Sequence, residues 1–153
     1  MSLLTKDLIY LDYEFESQTS FFDWFSKEMY QKGYVKQTFN KSIKEREKQY
    51  PTGLITQTCQ LAIPHTDPNH INKPFISLIR LKKPISFTHM GMGVEQSQAQ
   101  LLFVLGVMKD GGQVEVLSRL MNLFMQENEM KLIINENQKN KIEKVVNGFI
   151  GGE

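Results

Sequence analysis

Apolar residues recur along this chain in two rhythms, one helical and one strand-like, and the two alternate from end to end. A short stretch from Leu8 to Leu11 predicts a strand. Phe21, Phe22, Phe25 and Met29 then share one helical face, so a helix is expected to start near Thr19 or Ser20. Asp23 is placed to favour its N-terminus, and Gly33 suits the position just past its C-terminus. Trp24 and the three phenylalanines around it fall at helical spacing, which reads as core and not as a ligand box. Val35, Phe39 and Ile43 are spaced by four and predict the buried stripe of a second helix, roughly Val35 to Lys48, stopped by Pro51.

Beyond that helix, Leu61-Ala62-Ile63-Pro64 is a short apolar strand ended by proline. Phe75 to Leu81 alternate in a strand-like way between Pro74 and Pro84. Ala99 to Met108 is a near-continuous apolar run, as expected of a central strand covered on both faces. Asp110, Gly111 and Gly112 predict a turn into a helix that carries Val116, Leu117, Leu120, Met121 and Phe124. A short helix is expected within 127–137, and a last one from about Gln138 to Phe149 presents Ile142, Val145, Val146 and Phe149. The fold expected is α/β, a mixed β-sheet flanked by helices on both faces, in one domain spanning residues 1–153.

Composition narrows the function classes. Lys and Arg number 18 against 17 Asp and Glu; without a basic excess, a dedicated nucleic-acid binder is not expected. The single Cys59 cannot form an internal disulfide, which fits a reducing compartment, and a small free thiol next to an apolar run is expected to be buried and inert. The N-terminal residues include acids and no sustained apolar stretch, unlike a secretory signal. The longest apolar run falls far short of the ~20 residues of a membrane helix, so a cytoplasmic location is expected.

Three residues are candidates for chemistry. His65 follows Pro64 at a strand-to-loop junction, where a rigid base presents a nucleophilic imidazole. Arg46, at 100° per residue, falls between Val35 and Phe39 around the second helix, so it is aimed toward the protein and calls for an anionic partner. Gln113 heads the line Gln113, Leu117, Leu120, Phe124 in the first turn of its helix, where free amides favour an anion. Each also has a plain structural alternative: a satisfied histidine, an internal salt bridge, a first-turn polar residue. His65, Asp67 and His70 form a rival metal constellation for a hydrolase, but Pro68 interrupts their spacing and no HExxH pattern or cysteine pair supports it. There is no GxxxxGK[ST] or GxGxxG element for nucleotide binding.

The stretch Arg46-Glu47-Lys48-Gln49-Tyr50-Pro51-Thr52-Gly53-Leu54, followed by Leu61-Ala62-Ile63-Pro64-His65-Thr66-Asp67, resembles the fructose/mannitol/galactitol-type enzyme IIA family of the phosphotransferase system. The resemblance implies a mannitol-type enzyme IIA fold and a soluble phosphocarrier. His65 would accept phosphate from phospho-HPr and pass it to a cysteine of the IIB component, with the membrane IIC partner reached only through IIB. Arg46 would bind the phosphoryl oxygens. Mannitol- and fructose-like members carry a second histidine where this chain has Gln113; galactitol-like members are similar to it there, and the PTG and PHTD segments lean the same way. Gln113 would then be an auxiliary donor that cannot titrate. No cofactor, metal or nucleic acid is implied. The alternative within the resemblance is a nitrogen-type regulatory paralogue that signals through its phosphorylation state.

Overall fold

The computed structural model describes residues 3–91, 94–108 and 113–151, with residues 113 and 114 described by their backbone alone. Five strands form one mixed sheet: β1 (Ile9–Tyr13), β2 (Gly53–Ile55), β3 (Gln60–Ala62), β4 (Phe75–Thr88) and β5 (Gln96–Gly106). Their order across the sheet is β1-β4-β5-β3-β2. β1 runs parallel to β4, β4 antiparallel to β5, β5 parallel to β3, and β3 antiparallel to β2. The helices are α1 (Gln18–Gln31), α2 (Phe39–Gln49), α3 (Gln113–Phe124), α4 (Glu127–Asn135) and α5 (Lys139–Ile150). Among the described residues no helix is long and apolar enough to cross a membrane.

Side chains alternate across a strand, so residues an odd number apart face opposite ways. In β4, Phe75 meets Phe25 of α1, whereas Arg80 reaches the carbonyls of Ile133 and Glu136 at the end of α4. The sheet therefore lies between α1 and α2 on one face and α3 to α5 on the other, as the apolar runs predict. β4 does not alternate: Phe75 to Leu81 are buried without a break, because both faces are covered. The strand also runs past Pro84, where the pairing with β5 is irregular between Arg80 and Ile85. That is where a residue without an N–H fits.

Local chemistry moves several expected boundaries. α1 starts earlier, because Ser17 and Ser20 form a reciprocal capping box. Asp23 consequently lies outside the first turn and binds Lys44 and Asn40 of α2. At the other end Tyr34 N–H donates to Met29 O and Gly33 N–H to Tyr30 O, a Schellman close that needs the φ of +84° which Gly33 supplies. α2 begins at Phe39 and not at Val35. Val35 is bridged to Ile71 and Lys36 N–H donates to His70 O, so this stretch is held in extended pairing before the helix can begin. The predicted turn at 110–112 lies outside the described residues.

Candidate functional site at the end of β3

The second helix buries Phe39, Ile43 and Glu47. The four-residue spacing that marked its apolar stripe thus leads directly to a carboxyl. Glu47 is 4% exposed; its Oε2 accepts from Thr52 N–H at 2.8 Å and its Oε1 from Thr52 Oγ1 at 2.8 Å. Burial pushes its pKa up to about 7, partly opposed by the two Thr52 hydrogen bonds. The effect is to staple the turn after α2. Thr52 in turn uses its carbonyl to accept Ile63 N–H at 3.2 Å, so the turn is tied to the strand that leads to His65. Gly53 comes next because nothing larger fits: a Cβ there would lie 2.7 Å from Thr88 O and 2.9 Å from Phe87 O.

His65 itself continues β3 beyond Pro64. Leu105 N–H donates to Pro64 O at 3.0 Å and His65 is bridged to Leu105, so the residue is registered against β5. His65 is 9% exposed, and its Nδ1 lies 2.7 Å from Ile63 O. A carbonyl oxygen only accepts, so Nδ1 carries the proton and the lone pair is on Nε2. Burial is the main cause that lowers the pKa of this imidazole below its ordinary value; the Ile63 carbonyl opposes the shift and the Arg46 charge adds to it. The neutral ring is therefore the form present at neutral pH. His65 opens on a cavity of about 320 Å³ lined by Tyr50, Pro51, Thr52, Ile63, Met90, Leu117 and Met121. Met121, expected in the core with its neighbours, is 40% exposed at the rim of this cavity.

Arg46 stands on the flank of the α2 stripe, half-buried and not on its centre line. Its guanidinium lies over the Tyr50 ring, 4.8 Å from the centroid. Nη1 is 3.4 Å from Asp67 Oδ1, and the buried Nε–H has no hydrogen-bond partner among the described residues. Thr66, between His65 and Asp67, is buried and bonded through its hydroxyl to Ser42 of α2. Arg46 and His65 are thus brought to one place by α2 and the end of β3. Gln113 is the first residue of α3; its side chain lies outside the described residues. Leu117 and Met121 of the same helix line the cavity of His65.

The rival metal set is not assembled. His70 Nδ1 is 2.7 Å from Thr38 Oγ1, Asp67 faces Arg46, and among the described residues no three His, Cys, Asp or Glu side chains group as metal ligands. Cys59 is buried, and burial pushes its thiol up to about 11, which leaves it unreactive. The reading from residues alone missed Glu47, although the spacing pointed to it. It also missed Arg80, which stands alone in a run of apolar strand residues.

A family model described as phosphoenolpyruvate-dependent sugar phosphotransferase system, EIIA 2, matches residues 2–148. The chain belongs to this family. A phosphotransfer role follows for the IIA domain in general. No curated protein sequence matches the chain. Among solved structures, it is similar to the nitrogen regulatory protein IIA-Ntr from Neisseria meningitidis, with 22% identity, 94% of this chain and 96% of that one covered, and a TM-score of 0.73. The mannitol IIA of Escherichia coli, solved in complex with its phosphorylated IIB, is 16% identical over 95% of this chain and 99% of that one, with a TM-score of 0.76. A putative PTS IIA from Streptococcus mutans is 18% identical over 96% and 94%, with a TM-score of 0.74. At these identities the likeness establishes the mannitol-type IIA fold.

Proposed function

We propose that this IIA protein is the phosphocarrier of a sugar-alcohol phosphotransferase system, with His65 as the residue that carries the phosphoryl group. The observation behind the reading is the tautomer of His65: Nδ1–H is donated to Ile63 O at 2.7 Å, which leaves the Nε2 lone pair as the nucleophile. In the reaction that lone pair forms a new N–P bond while the N–P bond of phospho-HPr breaks. The electron pair of the broken bond stays with the donor imidazole. If the donor ring is protonated on its far nitrogen it leaves neutral, and no proton has to move. The phosphorylated His65 ring then carries the positive charge, with Nδ1–H still held by the Ile63 carbonyl. Transfer onward reverses the step: a IIB cysteine thiolate forms the S–P bond and the electron pair returns to Nε2.

Arg46 supports this reading through the positive charge it places near His65 and through an Nε–H that has no acceptor among the described residues. A guanidinium fork suits phosphoryl oxygens and the charge of a loose transition state. Gln113 is proposed as an auxiliary amide donor from the start of α3. Tyr50, Met90 and Met121, exposed around the mouth of the cavity, are proposed as the apolar ground on which phospho-HPr and IIB approach. Galactitol is the polyol proposed, on the PTG and PHTD segments and on Gln113 in place of a second histidine. The site is proposed to act in the cytoplasm without cofactor or metal.

Incubation with phosphoenolpyruvate, enzyme I and HPr should add one acid-labile phosphate, and a IIB protein should remove it. A His65→Ala protein should take up none; equal labelling of parent and variant would refute the assignment. Retention of the phosphate in the presence of every IIB of the same organism would instead support a regulatory, nitrogen-type role.

A further inference from the structure

We propose that Asp67 is a displaceable placeholder for the phosphoryl group, holding the Arg46 fork while His65 is empty and yielding it when His65 is phosphorylated. The inference rests on the phosphocarrier reading of His65 and adds a residue to it. Asp67 is the residue before a short 3₁₀ turn (Pro68–His70), a position whose side chain ordinarily caps the first free amides. Its carboxylate makes no such cap. It faces Arg46 instead, through what is, among the described residues, a single contact of 3.4 Å between side chains that are 61% and 33% exposed.

The two ends of this contact are held by the elements that build the site. On one side, Asp67 follows Thr66, whose hydroxyl is bonded to Ser42 of α2, and His65, which is bridged to β5. On the other, Arg46 lies on α2 with its guanidinium over Tyr50. A carboxylate two residues after the nucleophile is therefore kept within reach of the same cation the phosphoryl oxygens need. One long contact between exposed groups is weak. A phosphoryl group, with about −1.5 to −2 charges and three acceptor oxygens, outcompetes it for the fork. Releasing Asp67 has a cost that is charged only to the phosphorylated state. A carrier benefits from such a cost: it keeps the phosphohistidine from being held so firmly that onward transfer is slow.

The test compares the parent with Asp67→Asn, which removes the competing charge at an exposed position. Each protein is mixed with HPr and phospho-HPr in a fixed ratio and followed to a constant phosphorylated fraction. Asp67→Asn should shift that equilibrium toward the phosphorylated protein by roughly two- to fivefold, with an unchanged melting temperature. The Arg46 Nε–H resonance supplies a readout that a structural role would not move. It should differ between parent and variant when both are unphosphorylated, and coincide when both are phosphorylated. An unchanged equilibrium, or a resonance difference that survives phosphorylation undiminished, overturns the role of Asp67 and leaves the carrier reading intact. If the parent itself takes up no phosphate, both fall.

Discussion

Arg80 and Arg46 are both drawn into the protein, yet their surroundings are opposite. Arg80 is 6% exposed and its fork is filled: Nε and Nη2 donate to the two carboxylate oxygens of Asp12 at 2.9 and 3.1 Å. Nη1 donates to Ile133 O at 3.1 Å and Glu136 O at 2.6 Å, and Nη2 also reaches Asn137 Oδ1 at 2.9 Å. The cluster closes the end of α4 and holds the bulge in β1, where Asp12 has a φ of +62°. Arg46 has one long ion pair, an aromatic ring beneath it and a buried Nε–H with no partner among the described residues. A saturated guanidinium is spent on the fold. An unsaturated one, kept beside a histidine, has capacity left for a ligand.

Substitution should separate the two arginines cleanly. Arg80→Ala leaves the last carbonyls of α4 and the Asp12 carboxylate without their shared donor, and it empties a well-packed position. It should cost roughly 2–4 kcal/mol of stability, read from denaturant unfolding, while the rate of transfer per folded molecule stays near that of the parent. Arg46→Ala should do the reverse. Its exposed ion pair contributes under about 1 kcal/mol, but loss of a donor aimed at transferring charge should slow phosphotransfer by about 10²–10³-fold. If Arg46→Ala unfolds the protein and leaves the rate alone, the distinction between the two arginines is wrong.

How much of this was legible in the sequence depended on whether a residue's partner lay nearby in the chain. The apolar rhythm gave four of the five strands and the five helices in outline, because burial on one or both faces is what sets that rhythm; β2 (Gly53–Ile55), three residues at the edge of the sheet, is too short to show one. Helix starts were less legible, since Ser17 with Ser20 and the pairing of Val35 with Ile71 are local hydrogen-bond decisions that hydrophobicity does not record. The inward direction of Arg46 was readable from helical geometry, even though it was reckoned partly from Val35, which lies before the helix. Glu47 stayed hidden for a different reason. It occupies a core position of the stripe, but its hydrogen-bond partner, Thr52, lies past the end of the helix, where helical periodicity no longer says which way a residue faces. Arg80 was hidden in the same way, with partners contributed by β1 and by the end of α4.

Glu47 lies between the two arginines in kind, being as buried as Arg80 but partnered, among the described residues, by neutral donors only, and it yields the smallest of these effects. Its carboxyl has a pKa raised from 4.5 to about 7. A group whose folded pKa is raised contributes stability that is complete below its unfolded pKa and is lost as pH rises through the folded value. The parent should therefore lose stability between about pH 4.5 and 7 through this group, on the order of 1–3 kcal/mol. Glu47→Gln keeps an acceptor for Thr52 N–H and offers an amide N–H to Thr52 Oγ1, so the turn that walls the His65 cavity should survive. The difference in unfolding free energy between parent and variant, measured at pH 5 and pH 8, isolates this carboxyl from every other titrating group. The variant should gain on the parent at the higher pH. Parallel pH profiles would mean that Glu47 is ionised throughout, and that the two hydrogen bonds from Thr52 outweigh its burial.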